Sequence, residues 1–382
     1  MIVHPPELDF VQDQIKFSAR VEAAPLFGGM PERVWFAFPS SYARYLDARA
    51  DGLVATLLLV AMRFGQDLDV RGPISPRLLQ GLEQLQQTLL RLFPSSVKRV
   101  AIHAPHLASP ISEVAPRGVA TAFSGGVDSF YSLWTHLPEQ DANPATRVTH
   151  GLFVHGFDIP LDAPDRYAIC RAAYAKLFQR LDLELLVART NARAWYPTLE
   201  WNWMYISSLA GAALTLNRLL GRFYIPTGSV EKDAPPWGEF TRINSLFSTE
   251  TLQVVDDGVT ATKADKLGTV AHWEVTYPLL RVCFENGIGL ENCSRCSKCL
   301  ATMVGLQLYG TLHRYTTFSL PLDRHALRTL HVPYASRLIY QSILIKAIAC
   351  GRDDLALDLG IAFIKSYWGW FRRGLQRRNH RA

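Results

Sequence analysis

No stretch of this 382-residue sequence stays apolar long enough to cross a bilayer. The longest run, Leu53 to Met62, is about half of the ~20 residues a spanning helix needs. The opening residues, MIVHPPELDF, do not have the basic-then-apolar order of a signal peptide, so a cytoplasmic protein with no membrane span is expected. Cysteine is scarce, and six in a chain of this size do not make a disulfide framework. Internal repeats and low-complexity tracts are absent, and 48% hydrophobic with 19% charged residues is the composition of a folded chain, which excludes disorder. The formal charge of +6 is local, because the segment Ile364 to Ala382 holds six Lys/Arg and no acid. In that tail Trp368, Trp370 and Phe371 precede Arg372, Arg373, Arg377, Arg378 and Arg381. It reads either as a solvated terminal helix or as a dock for an acidic partner, RNA or a membrane surface, and leaves nucleic-acid binding undecided.

Residues 1–115 read as a separate N-terminal α+β domain of structural or partner-binding character. It has a strand at Val34 to Pro39, an apolar helix around Leu53 to Met62, an amphipathic helix from Pro76 to Leu92 and a strand from Arg99 to Pro105. From about 117 the pattern becomes strand, helix, strand, helix. Strands are expected at Gly118 to Phe123, Gly151 to Gly156, Leu183 to Thr190 and Phe223 to Gly228, with helices from Asp128, near Asp165 to Leu181 and near Asn202 to Leu220. Such alternation predicts an α/β fold with a doubly wound parallel sheet, whose ligand lies at the carboxyl ends of the strands. Residues 116–305 form that domain, and residues 306–382 a helical C-terminal extension.

At the end of the first of these strands stands Ser124-Gly125-Gly126-Val127-Asp128-Ser129. Two glycines let the backbone turn sharply and approach an anion, the following helix adds its positive N-terminal end, and Ser124 and Ser129 offer hydroxyls to phosphate oxygens. Asp128, being negative, suits a helix-capping or magnesium-linked role better than direct phosphate contact. The lysine-bearing GxxxxGK[ST] pattern is missing, which points to cleavage elsewhere than at the γ phosphate.

Four of the six cysteines, Cys283, Cys293, Cys296 and Cys299, fall in one short stretch. Four thiolates at this spacing suit a tetrahedral, structural zinc, with Arg295 and Lys298 beside them offsetting the negative charge. An iron-sulfur cluster is the rival, although the x3-C-P that continues a ferredoxin run is absent. Cys170 and Cys350 sit in apolar helical patterns and are expected in the core.

The SGGVDS loop, in its strand-turn-helix setting, resembles the signature of the PP-loop, or N-type, ATP pyrophosphatases, over about residues 117 to 305. The resemblance implies an adenine nucleotide alpha hydrolase-like domain in which Ser124, Gly125, Gly126, Val127, Asp128 and Ser129 hold the pyrophosphate portion of ATP with Mg2+. His155, Gly156, Thr190 and Gly228, on the neighbouring strand ends, complete the nucleotide site, and Ser124, Asp128, Ser129 and Lys232 are the catalytic candidates. With the cysteine cluster added, the chain resembles the 7-cyano-7-deazaguanine synthases, with an extra N-terminal domain; KADKLGTVAHW (Lys263 to Trp273) resembles the helix that precedes their Zn2+ ligands. The implied activity is adenylation of a small-molecule carboxylate such as a 7-deazaguanine, with pyrophosphate release, then C–N bond formation with an amine or ammonia. The stretches His155 to Pro160 and Glu200 to Trp203 depart from those synthases where they read the base, so the chemistry transfers more readily than the substrate.

Arg189, Asn191 and Arg193 either bind adenine, ribose or the carboxylate or form an ordinary loop, and His155 is either an adenine neighbour or a satisfied strand-end group. Lys232 with Asp233, Lys263 and Arg281 are candidates for stabilising transferred charge. Two other functions share the motifs: tRNA thiolation, which wants exposed reactive thiols, and a subunit of a bacterial defence or modification system that holds a protein or nucleic-acid partner through its N-terminal domain and basic tail and uses the same ATP chemistry on a protein or nucleobase acceptor. A homodimer remains open.

Overall fold

The computed structural model describes residues 1–24, 30–109, 117–196, 201–228, 243–283, 285 and 288–379, with the backbone alone at 201–204, 335 and 368–379. The chain divides into two units. Unit 1 comprises Met1–Ser124, Ser132–Thr227 and Pro236–Asp257; unit 2 comprises Gly125–Tyr131, Gly228–Pro235 and Gly258–Ala382.

Unit 1 begins with β1 (Ile2–Val3), β2 (Glu7–Val11), β3 (Gln14–Glu22) and β4 (Arg33–Pro39). In β3 the residues Ile15, Phe17, Ala19 and Val21 are buried at every second position, the period that puts one face of a strand in a core. Next come α1 (Asp51–Phe64), β5 (Leu68–Val70), α2 (Pro76–Leu92) and the two-residue β6 (Ile102–His103). Helix α1 is buried from Asp51 to Met62, as an all-round apolar helix must be. Helix α2 buries one stripe, formed by Leu78, Gly81, Leu82, Leu85, Gln86 and Leu89.

The alternation from residue 118 onward is realised as β7 (Gly118–Ala122), α3 (Val127–Thr135), β8 (His150–His155), α4 (Pro164–Arg180), β9 (Glu184–Thr190), α5 (Trp201–Leu214), β10 (Leu220–Pro226) and β11 (Gln253–Asp257). All strands join one 11-stranded sheet of order β11-β10-β7-β8-β9-β4-β3-β1-β5-β6, with β2 also on β3. The segment β11 to β9 is parallel throughout. The sheet as a whole is mixed, while the part from β11 to β9, where a parallel sheet was expected, is parallel. Strand β4 adds antiparallel to β9, pairing Phe36 with Thr190 and Ala37 with Arg189, and β3 continues antiparallel from β4. The N-terminal strands thereby extend the same sheet, and one apolar cluster runs from Val3 to Val254.

Unit 2 contains α6 (Lys263–Ala271), α7 (Ser297–Leu308), α8 (Arg324–Thr329), α9 (Arg337–Ala349) and α10 (Asp353–Asn379). Helix α6 opens on a capping box between Thr262 and Asp265. It is tied to the end of α7 by Tyr309, whose hydroxyl donates to the Ala264 carbonyl at 2.9 Å. The basic tail lies in α10 as far as Asn379; its side chains from 368 on, and Arg381, lie outside the described residues. Cys170 is buried as expected, whereas Cys350 is exposed. The reason is that α9 ends at Ala349 and Cys350 falls on its C-cap, outside the apolar stripe. Among the described residues no helix is long and apolar enough to cross a membrane.

Candidate anion-binding loop and four-cysteine cluster

In unit 1 the parallel strands β7 to β11 end on one edge of the sheet. Strand β7 lies between β8 and β10, so the chain order reverses there, and in doubly wound sheets that reversal opens the ligand crevice outside the carboxyl ends. Ser124 follows β7 at that point, and its carbonyl accepts a long 3.5 Å bond from the Tyr174 hydroxyl. His155, the last residue of β8, is 2% exposed and stacks on Tyr167 with ring centroids 4.3 Å apart. Its Nε2 donates to the Pro160 carbonyl at 2.8 Å, and burial pushes its pKa down. Gly156 has φ 105°, and a Cβ there would come within 2.1 Å of the Thr190 carbonyl, so only glycine fits. Thr190 is wholly buried; its hydroxyl donates to the Trp35 carbonyl at 2.7 Å and accepts from the Ala192 amide at 3.1 Å. Asn191 accepts from the Trp35 amide and donates to the Arg33 carbonyl, which ties β9 to β4. Arg189 reaches Gln14, and Arg193 the Phe157 carbonyl. Gly228 follows β10, whereas Lys232, Asp233 and Glu200 lie outside the described residues.

In unit 2 the glycine loop runs into α3. Gly125 has φ 77°, a left-handed conformation that favours glycine, and its carbonyl accepts the Arg281 amide at 2.8 Å. The loop carbonyl of Gly126 accepts both the Phe130 amide and the Ser129 hydroxyl, each at 3.0 Å. Val127 is buried and opens α3, whose first turn presents N–H groups that have no intrahelical acceptor. Phe130 then packs edge-on against Trp273, 6.0 Å between centroids.

Asp128 gathers the positive charge around this turn. Its Oδ2 lies 2.5 Å from Lys263 Nζ and its Oδ1 3.5 Å from Lys266 Nζ. Burial pushes the Asp128 carboxyl up, but the ammoniums of Lys263 and Lys266, with a further contribution from Lys298, outweigh it and hold the pKa below the usual range. No described residue donates a hydrogen bond to Oδ1. Lys266 is 1% exposed, an unusual place for a lysine, and its ammonium also lies 5.5 Å from the Tyr131 ring centroid. Lys266 escaped the sequence reading. The signal available was its spacing from Lys263, since positions three apart share a helix face. Lys298, expected to offset thiolate charge, also adds to the field at Asp128.

The four cysteine Sγ atoms all lie within 4.8 Å of one another. Cys283 and Cys296 are 3.9 Å apart and Cys293 and Cys299 3.8 Å, too far for a bond between them. A tetrahedron of thiolates at ~2.3 Å from one ion has edges of about 3.8 Å, so the cluster can bind a single metal ion such as zinc. Cys296 caps α7, and hydrogen bonds centred on Cys299 pull its thiol down to about 5 while Cys299 is pushed up. Asn292, which sequence reading also missed, locks the knuckle. Its Oδ1 accepts the amides of Val282 and Cys283 at 2.8 and 3.0 Å, and its Nδ2 donates to the Leu280 carbonyl at 2.9 Å.

Comparison of the chain with family models, curated proteins and solved structures finds no match.

Proposed function

We propose that this chain is an ATP-dependent ligase of the PP-loop class, acting in the cytoplasm, which adenylates a carboxylate and joins it to nitrogen. The observation that carries the reading is the glycine loop itself: Gly125 in a left-handed turn leading into α3, with Lys263 and Lys266 on Asp128 beside it. Fixed amides, a helix N-terminus and ammonium groups together suit a pyrophosphate better than any neutral ligand. Magnesium fits as the accompanying ion, because Asp128 Oδ1 is a carboxylate oxygen to which no described residue donates a hydrogen bond. When bound, it would neutralise charge on the phosphate oxygens.

In the reaction, a carboxylate oxygen of the acceptor attacks the α phosphorus of ATP, and the bond from that phosphorus to the bridging oxygen of the β phosphate breaks. The lysines stabilise the departing pyrophosphate. An amine or ammonia then attacks the acyl carbon, AMP leaves, and an amide remains; in a 7-cyano-7-deazaguanine synthase-like reaction a second ATP drives its dehydration to a nitrile. The chain supplies no nucleophile in this scheme. Its part is to hold the two reactants and the leaving group in line. Zinc is the proposed occupant of the cysteine cluster, in a closed structural site; thiolation is less well supported, because all four clustered thiols are taken up there.

The test is ATP turnover followed by mass spectrometry and phosphorus NMR, with ammonium and a panel of carboxylates that includes 7-carboxy-7-deazaguanine. AMP and pyrophosphate, stimulated by one carboxylate and abolished in Ser124→Ala/Asp128→Ala, are expected. Formation of ADP, or no turnover with any member of the panel, defeats the adenylation reading.

A further inference from the structure

One short path joins the cysteine cluster to the glycine loop within unit 2. The amides of Val282 and Cys283 are held by Asn292, the residue before Cys293, so two cysteines of the cluster and the segment 281–283 form one knot. The amide of Arg281, next along this segment, donates to the Gly125 carbonyl. In a trans peptide the carbonyl and the following N–H point in opposite directions, so this single bond sets where the Gly126 N–H is aimed.

No covalent bond links the four sulfurs, so a metal ion is what would hold this path rigid. We propose that the metal held by Cys283, Cys293, Cys296 and Cys299 sets the anion affinity of the glycine loop, by fixing the Arg281 amide on Gly125. The metal is then more than a brace for the fold. Because coupling between two ligands is reciprocal, pyrophosphate must strengthen metal binding by the same factor that metal strengthens pyrophosphate binding. The inference rests on reading the loop as a pyrophosphate site.

The experiment uses the full-length, zinc-loaded protein. Magnesium pyrophosphate is titrated by calorimetry, and zinc affinity is measured by equilibrium competition with a colorimetric chelator, with and without saturating pyrophosphate. Zinc affinity raised by about tenfold is expected, within the usual range of such couplings. If the wild type binds pyrophosphate but holds zinc with the same affinity with and without it, the coupling is refuted while the loop assignment survives. If the zinc-loaded protein does not bind pyrophosphate, the loop assignment and the coupling fall together.

Discussion

The pairing of Asp128 with Lys266 can be weighed by a double-mutant cycle. At 3.5 Å the two charges attract by about 5 kcal/mol at an effective dielectric of 20. Lys263 sits closer to the same carboxylate, and the Asp128 side chain is 26% exposed, so water and the second lysine take a share. A coupling of about 1–3 kcal/mol is expected. The single variants should be unequal. Asp128→Asn leaves two largely buried ammoniums without their counter-ion and is expected to cost about 3–5 kcal/mol. Lys266→Met removes a wholly buried charge, fills its space with an apolar chain and leaves Asp128 still paired with Lys263, so its cost should be small. In the Met background, Asp128→Asn should therefore cost clearly less. Opening free energies of the α6 amides from native-state hydrogen exchange provide the readout, because they follow unit 2 alone. The measurement is repeated at high salt, where an exposed pair would lose its coupling and a buried one would keep it. If Asp128→Asn costs the same within about 0.5 kcal/mol in both backgrounds, Lys266 does not hold Asp128 and the charge account of the loop is wrong.

Two buried titrating groups in unit 1 are expected to give pH dependences of opposite chemical origin. Asp51 is fully buried, and burial pushes its carboxyl up to about 6 despite two bonds from Ser75. A folded pKa above the unfolded one of about 3.9 means the native state holds the proton more tightly, so stability falls as pH rises from about 4 to 6, by about 3 kcal/mol for this group. Urea unfolding across that range should show the fall, and Asp51→Asn should flatten it; an unchanged slope in the variant sinks the assignment. His136 is opposed by burial but lies between Asp257 at 3.0 Å and Asp141 at 3.2 Å, and its pKa is raised overall. Its contribution is fully present below the unfolded pKa of about 6.5 and is lost as pH climbs through the folded value. Melting curves from pH 6 to 9 should therefore decline more steeply for wild type than for His136→Gln, and parallel curves would refute the ion pairing.

The local grammar of the chain was readable where one segment settles its own structure. Strands β7 to β10 are short apolar runs between helical patterns, and the cysteine spacing alone foretold that four sulfurs would meet. What escaped depends on packing between distant segments. Strand β3 carries a clear two-residue period at Ile15, Phe17, Ala19 and Val21, yet its partners, and the antiparallel addition of β4 to β9, follow from contacts such as those of Asn191 with residues 33 and 35. Likewise, nothing local marks Lys266 as buried. In KADK it reads as the polar face of a helix, and only the packing of α6 in unit 2 places its ammonium at a carboxylate.

That placement resolves the oddity of an acid within the proposed anion-binding loop. A carboxylate beside a pyrophosphate would repel it if it stood alone, but Asp128 draws Lys263 and Lys266 onto itself. Two ammoniums to one carboxylate leave one positive charge in surplus. Free lysines carry the same charge but must be ordered when the anion arrives, which costs on the order of 1–2 kcal/mol of side-chain entropy each. Held on Asp128 they are ordered beforehand, and the carboxylate gives up part of their attraction in exchange for position. Such an exchange favours a ligand whose charge is large and fixed in shape, as a pyrophosphate's is, over a single carboxylate or chloride that could not engage both.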